Sequence, residues 1–294
     1  MLSFRTLLLA VALPALAGAQ ATTTDNLFTW SGRVASGATF GIKHYNGPID
    51  AREGTGDRVE FRAERRNRRS GELSFEVNTE GDGVTICGVW RGRSACDSGR
   101  RGWNSDWDDG PPSSRITVLL PKGVRLRATT GNGDVTVEKA SNDLDITTGN
   151  GDVRITMTAG RVDVTTGNGE LEIEGATGPV RANTGNGRVS VLTSSGPVTA
   201  RTGNGEIDVR MKTLASSSSM QFVTGNGSIT VALPATFSGD IDASTGNGEL
   251  NSDFAIKVMG RFNPHHVRGT IGENGTQSIK MVTGSGSLTL RKAN

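Results

Sequence analysis

From residue 129 onward, apolar and polar residues alternate in short runs that return at a fixed interval. Asp134-Val135-Thr136-Val137-Glu138 reads polar, apolar, polar, apolar, polar, the period-two signature of a strand with one face buried. The run recurs as Asp152-Val153-Arg154-Ile155-Thr156, 18 residues on. One apolar column reads Val135, Val153, Leu171, Val189, Ile207, Ile229, Leu250 and Leu288, and a second reads Val137, Ile155, Ile173, Val191, Val209 and Val231. The other half of each unit carries Leu144, Val162, Val180, Val198 and Ile241, then Ile146, Val164, Ala182, Ala200, Phe222 and Ala243. Each unit therefore holds two short strands and two corners.

The first corner is Thr-Gly-Asn-Gly. It occurs seven times, starting at Thr130, Thr148, Thr166, Thr184, Thr202, Thr224 and Thr245, and an eighth copy, Thr283-Gly284-Ser285-Gly286, carries serine. The first four spacings are 18 residues, the next 22 and 21, and the last 38, which reads as two coils with a degenerate turn near Gly272-Glu273-Asn274-Gly275. Glycine and asparagine tolerate the positive φ a sharp corner needs. The stacked Asn132, Asn150, Asn168, Asn186, Asn204, Asn226 and Asn247 predict a hydrogen-bonded amide ladder. Equivalent residues at a fixed spacing favour a solenoid, in which each strand pairs with its copy one coil on, over a meander of hairpins. The expected fold is an all-β β-solenoid (β-helix) with coils of about 18 residues. An isolated coil would not stand alone: four buried aliphatics contribute on the order of 10 kcal/mol, less than the roughly 18–36 kcal/mol of backbone entropy that ordering it costs.

The rest of the chain divides around this array. Residues 1–21 read as a signal peptide: a positive start through Arg5, an apolar stretch Thr6 to Ala17, and small residues that place cleavage after Ala19 or Ala21. Residues 22–294 form one domain, with irregular coils and an N-terminal cap over 22–128 and the regular repeats over 129–294. His44 to Ala51 reads as a degenerate coil, while 58–62 and 72–77 alternate as strands. A long insert, 88–114, interrupts the coils and carries Trp90, Trp103 and Trp107. The solenoid ends need caps against edge pairing.

Glycine, 41 of 294 residues, fits many tight corners, and the absence of a G-X-Y period excludes collagen. Net charge is +2, essentially balanced. The run Arg62, Arg65, Arg66, Arg68, Arg69 reads as a solvated hairpin tip, with contact to anionic surface polymers as the alternative. No nucleic-acid motif and no membrane span are found. Cys87 and Cys96 predict one disulfide in an exported chain, since a zinc site needs four ligands and no histidine is near.

Three features together resemble the bacterial DUF4097 family of adhesin-like, β-strand-repeat domains: the recurrent Asn-Gly-Asp/Glu-Val turns, the step Ile116-Thr117-Val118-Leu119-Leu120-Pro121-Lys122-Gly123-Val124, and the leader. The resemblance covers the chain from about Gly32 onward. It implies a β-strand-repeat fold of the adhesin-like type and brings no catalytic residues with it.

The candidate chemistry is sparse. Calcium rolls also use 18-residue coils, but here the ligand aspartate is displaced and Arg188 occupies one of the positions. Asn104, Asp106, Asp108 and Asp109 alternate like an EF-hand start, yet Arg115 stands where the bidentate glutamate belongs. No metal and no cofactor is therefore expected. A β-helical polysaccharide lyase or hydrolase would need convergent carboxylates; Glu138, Glu172 and Asp208 read as one solvent-facing column, and His265 and His266 as pointing to opposite faces. Ice binding would need a regular two-column threonine face, which is missing. The remaining active role is binding of surface polysaccharide or another envelope component, with Trp90, Trp103 and Trp107 stacking on sugar rings and Arg100 and Arg101 beside them; the alternative is that the tryptophans cover the solenoid's side or cap. The expected location is the periplasm, the cell surface or the medium. The sequence leaves the oligomeric state open.

Overall fold

The computed structural model describes residues 19–24, 26–65, 73–97, 112–214, 218–260, 263–273 and 275–293. In chain order the N-terminal portion forms β1 (Gln20–Thr23), β2 (Leu27–Gly32), β3 (Thr39–Asn46), β4 (Ile49–Glu53), β5 (Val59–Arg65), β6 (Leu73–Glu80), β7 (Gly83–Trp90), β8 (Arg93–Ser94), a 3-10 turn (Ala95–Asp97) and β9 (Ser114–Leu120). Six regular coils follow as strand pairs: β10 (Arg125–Asn132) with β11 (Val135–Ala140), β12 (Leu144–Asn150) with β13 (Val153–Thr158), β14 (Val162–Asn168) with β15 (Leu171–Ala176), β16 (Val180–Asn186) with β17 (Val189–Thr193), β18 (Val198–Asn204) with β19 (Ile207–Met211), and β20 (Ser219–Asn226) with β21 (Ile229–Pro234). The C-terminal portion adds β22 (Gly239–Asn247), β23 (Leu250–Ser252), β24 (Ile256–Val258), β25 (His266–Ile271), β26 (Gln277–Ser285) and β27 (Leu288–Ala293). Among the described residues no helix is long and apolar enough to cross a membrane.

Each coil gives one strand to each of two sheets. Within the stack the strands are parallel and in register, so Leu126, Leu144, Val162, Val180 and Val198 lie in line on one sheet. Val135, Val153, Leu171, Val189 and Ile207 do so on the other. These inward columns are buried and merge into one core. The predicted solenoid is therefore observed, and the meander is excluded.

The corner explains its own sequence. In the coil at 166–169, Thr166 is 2% exposed and its Oγ1 donates to the Gly151 carbonyl at 3.1 Å. A Cβ on Gly167 would lie 2.5 Å from the Gly149 oxygen. Gly169 has φ +153°, and a Cβ there would lie 2.0 Å from the Gly151 oxygen. Both glycines are thus fixed by the close approach of successive coils, the second also by its backbone angle. The exposed Asn168 Nδ2 donates to Asn150 Oδ1 at 2.7 Å. That ladder runs from Asn46 through Asn132, Asn150, Asn168, Asn186, Asn204 and Asn226 with bonds of 2.7–2.8 Å. Asn46, in the degenerate early coil, is its first rung.

The ends depart from the expected order. The 38-residue gap is not two further coils stacked in sequence. β26 pairs with both β20 and β22, and β27 with both β21 and β23. The last coil of the chain therefore lies inside the one that precedes it, and Ser285, not Asn247, follows Asn226 along the corner. The outer coil is closed by β25 and β24, which run antiparallel. The N-terminal end is built alike. The coil β7–β9 lies outside β3–β4. The segments at 58–62 and 72–77 are not coils: β5 and β6 close that end antiparallel to β9 and β7, with β2 and β1 beyond β5.

Candidate functional site

One coil, β7–β9, has no four-residue corner of any form. Register places Lys43 beside Cys87, so Gly88 stands beside His44, where other coils have threonine beside threonine. Ser113 bridges Asn46 and takes the asparagine place. The insert therefore leaves and re-enters the solenoid within a single corner. β7 runs on to Trp90, so the excursion begins later than residue 88.

Its root is clamped. Cys87 and Cys96 are joined by a disulfide with Cα atoms 5.7 Å apart. The Tyr45 hydroxyl donates to the Arg93 carbonyl at 2.8 Å. The Tyr45 ring meets Trp90 edge-on at 6.4 Å, and the Arg91 guanidinium lies 4.9 Å over the indole. Ser94 donates to Glu76, and the Cys96 amide donates to the Ser94 hydroxyl at 3.1 Å. Burial, reinforced by the Asp97 carboxylate, holds the Tyr45 phenol above its usual pKa. Beneath the root, His44 fills the space that Gly88, lacking a side chain, leaves open. It is 2% exposed, its Nε2 lies 3.0 Å from the Ser114 hydroxyl, and its Nδ1 has no partner among the described residues. Burial lowers its pKa to about 4.

These facts sort the expected site residues. Trp90 is 6% exposed, so it is part of the clamp and offers no open face for a sugar ring. Trp103, Trp107, Arg100 and Arg101 lie outside the described residues, as do Asn104, Asp106, Asp108 and Asp109. Tyr45, the chain's one tyrosine, and Glu76 are clamp residues that the sequence pattern did not single out.

The outer faces of the coils offer less. The threonine column is buried, not displayed. Glu138 does not share a column with Glu172 and Asp208: it aligns with Thr156, while Glu172 aligns with Arg154. Opposite charges on adjacent coils pair, as in Arg127–Asp145 at 2.9 Å, Arg154–Glu172 at 2.6 Å and Arg188–Glu206. His266 lies 3.5 Å from Asp242. Among the described residues no cluster of three or more His, Cys, Asp or Glu side chains could hold a metal ion. An open cleft of about 600 Å³ lies at the far end of β3, lined by Ser36, Thr39, Glu80, Asp82, Thr85 and Arg127. Its carboxylates and hydroxyls could accept hydrogen bonds from a polyol, but its guanidinium is already paired with Asp145.

Residues 52–291 match the family model described as Toastrack DUF4097. No curated protein matches the chain. Among solved structures, a putative adhesin from Bacteroides fragilis NCTC 9343 is similar at 13% identity and TM-score 0.46, covering 92% of this chain and 98% of its own. A putative cell adhesion protein from Clostridium sporogenes ATCC 15579 is similar at 11% identity and TM-score 0.28, covering 90% of this chain and 99% of its own.

Proposed function

The chain belongs to the Toastrack DUF4097 family, and from that premise we propose that it is an exported, non-catalytic binding protein whose insert contacts surface or envelope glycans while the solenoid acts as a rigid spacer. The observation that carries this reading is the placement of the insert. It is the only corner among the described coils where the repeat is replaced by a long excursion, and its root is clamped by a disulfide and an aromatic–guanidinium contact. A clamped root on a rigid scaffold is how loops are held for recognition. The repeat residues have structural duties instead: threonines and asparagines bond coil to coil, and surface charges neutralise one another. The apolar leader and the disulfide support export.

The test is binding of the purified mature protein to a panel of bacterial and host polysaccharides, beside a Trp103→Ala, Trp107→Ala variant. Trp90 is left intact because its loss would damage the clamp. Binding weakened at least about tenfold in the variant, with an unchanged unfolding curve, is expected. Equal binding by both proteins, or none by either, would sink the glycan reading. Release of oligosaccharide would overturn the non-catalytic one.

A further inference from the structure

The corners of the coils carry eight Asn-Gly steps among the described residues: those at Asn46, Asn132, Asn150, Asn168, Asn186, Asn204, Asn226 and Asn247. Asn-Gly is the sequence most prone to spontaneous deamidation, because glycine leaves the following backbone nitrogen sterically open. That nitrogen attacks the side-chain Cγ, the C–N bond to the amide breaks and ammonia leaves. Water then opens the succinimide at one carbonyl or the other, giving aspartate or isoaspartate. The attacking nitrogen must first lose its proton, and the side chain must swing onto it.

The solenoid blocks both steps at seven of the eight sites. The amide of Gly47 donates to the Asn132 carbonyl at 2.6 Å, and those of Gly133, Gly151, Gly169, Gly187 and Gly205 each donate to the next coil's asparagine carbonyl at 2.8–2.9 Å. Gly227 donates to the Ser285 carbonyl at 2.8 Å. Each of these seven asparagines also has its side-chain amide in the ladder. Asn247 differs because the last coil of the chain is threaded inside its own coil. Its carbonyl accepts from Gly286 at 2.8 Å, but among the described residues no coil lies beyond it at the corner. The capping strand β25 reaches only to His266, opposite Ser244. Among the described residues neither the Asn247 side chain nor the Gly248 N–H has a hydrogen-bond partner.

We infer that Asn247–Gly248 is a spontaneous deamidation site, set apart from its sequence-identical neighbours by its place outside the ladder, at the open end of the corner column. The product adds a carboxylate beside Glu249 and, as isoaspartate, lengthens the backbone by one carbon at the outermost corner.

The repeat supplies internal controls, since seven of the eight steps share the context Thr-Gly-Asn-Gly and have the same intrinsic reactivity. The full-length mature chain, disulfide intact, would be held in mildly alkaline buffer at body temperature and followed by peptide mapping with isoaspartate detection. A second sample would be held reduced and unfolded. The expected result is deamidation at Asn247 at least about tenfold faster than at any inner rung in the folded protein, with the rates converging in the unfolded one. Equal rates at Asn247 and Asn168 in the folded protein would overturn the inference. So would an inert Asn247 in the folded protein alongside general reaction in the unfolded chain.

Discussion

At the scale of single residues, the solenoid is written in a code of four positions per corner, and His44 shows what happens when one changes. The coils from β10 onward put a threonine there, small enough to sit beneath the corner and donate to a glycine carbonyl. Gly88 beside it opens the space that an imidazole fills, at the cost of burying a titratable ring whose Nδ1 has no partner among the described residues. In the unfolded chain such a ring takes its proton near pH 6.5, while in the fold burial delays protonation to about pH 4. Between those values the unfolded state holds more protons, so stability falls as the pH drops through that window and levels off below it. The loss should reach about 3 kcal/mol. His44→Thr, which restores the ladder residue, should remove that component while leaving the carboxylates' share. Urea midpoints for both proteins at neutral pH and near pH 4 would check this; parallel pH profiles would refute it. The corner code itself was legible in the sequence, because glycine and asparagine returning at a fixed spacing mark a backbone bend that repeats. The burial of the threonines was not: a Thr-Gly step gives no sign of which way the hydroxyl points. Nor was the fate of Trp90, which Tyr45 meets from a neighbouring strand while the adjacent Arg91 turns back over its ring.

At the scale of elements, the second corner is less uniform than the first, and its strain shows where. Lys139 and Met157 occupy equivalent positions in successive coils at φ +53° and +51°, and Gly175, next in line, has φ +69°. The left-handed conformation costs a non-glycine residue roughly 1–2 kcal/mol, and Met157 recovers little through packing because it is 62% exposed. Met157→Gly should therefore raise stability by up to about 1 kcal/mol, after the entropy that glycine adds to the unfolded chain is subtracted. A thermal melt would read this as a higher midpoint, and a lower midpoint would show that the methionine side chain contributes more than its exposure implies. Strand positions were the most readable elements, since period two and period eighteen agree over the array. The capping strands were readable as strands but not as caps. Glu72 to Val77 alternates like any coil strand, and only its antiparallel pairing with β7 distinguishes it. One signal was available. No aromatic residue occurs between Thr129 and Gln221, and the described phenylalanines other than Phe222 gather at the two ends. Trp30, Phe40, Phe28, Phe61 and Phe75 stack at one, and Phe237 meets Phe254 at 6.1 Å at the other. Large rings plug the ends, where no further coil supplies aliphatics.

At the scale of the whole molecule, uniform coils make the order of stacking invisible in the sequence. Each coil presents the same columns of small aliphatics, so any coil can stack on any other, and what decides is the path of the connections. At the N-terminal end the chain lays the inner coil β3–β4 first, adds the closing strands β5 and β6, and then lays the outer coil β7–β9. At the C-terminal end it lays an outer coil, adds antiparallel closing strands, and places a second coil on the inner side of the first. This arrangement buries both edges of β26 and β27, leaving the short β23 and β24 as edges at that end, and short edges limit strand addition by another chain. The arrangement is open to a direct geometric test on the half-buried outer face of one sheet, where Val223 is aligned with Val282, and Val282 with Ser244. Neighbouring parallel strands lie about 4.8 Å apart, within the Cα separation a disulfide spans, whereas strands two apart lie roughly 9–10 Å from each other, beyond it. Val223→Cys with Val282→Cys should cross-link under mild oxidation with the native Cys87–Cys96 bond retained, and Val223→Cys with Ser244→Cys should remain two thiols, as peptide mapping would show. A sequential solenoid reverses both outcomes, because there the coil carrying Ser244 would stack directly on the coil carrying Val223, and Val282 would lie beyond it.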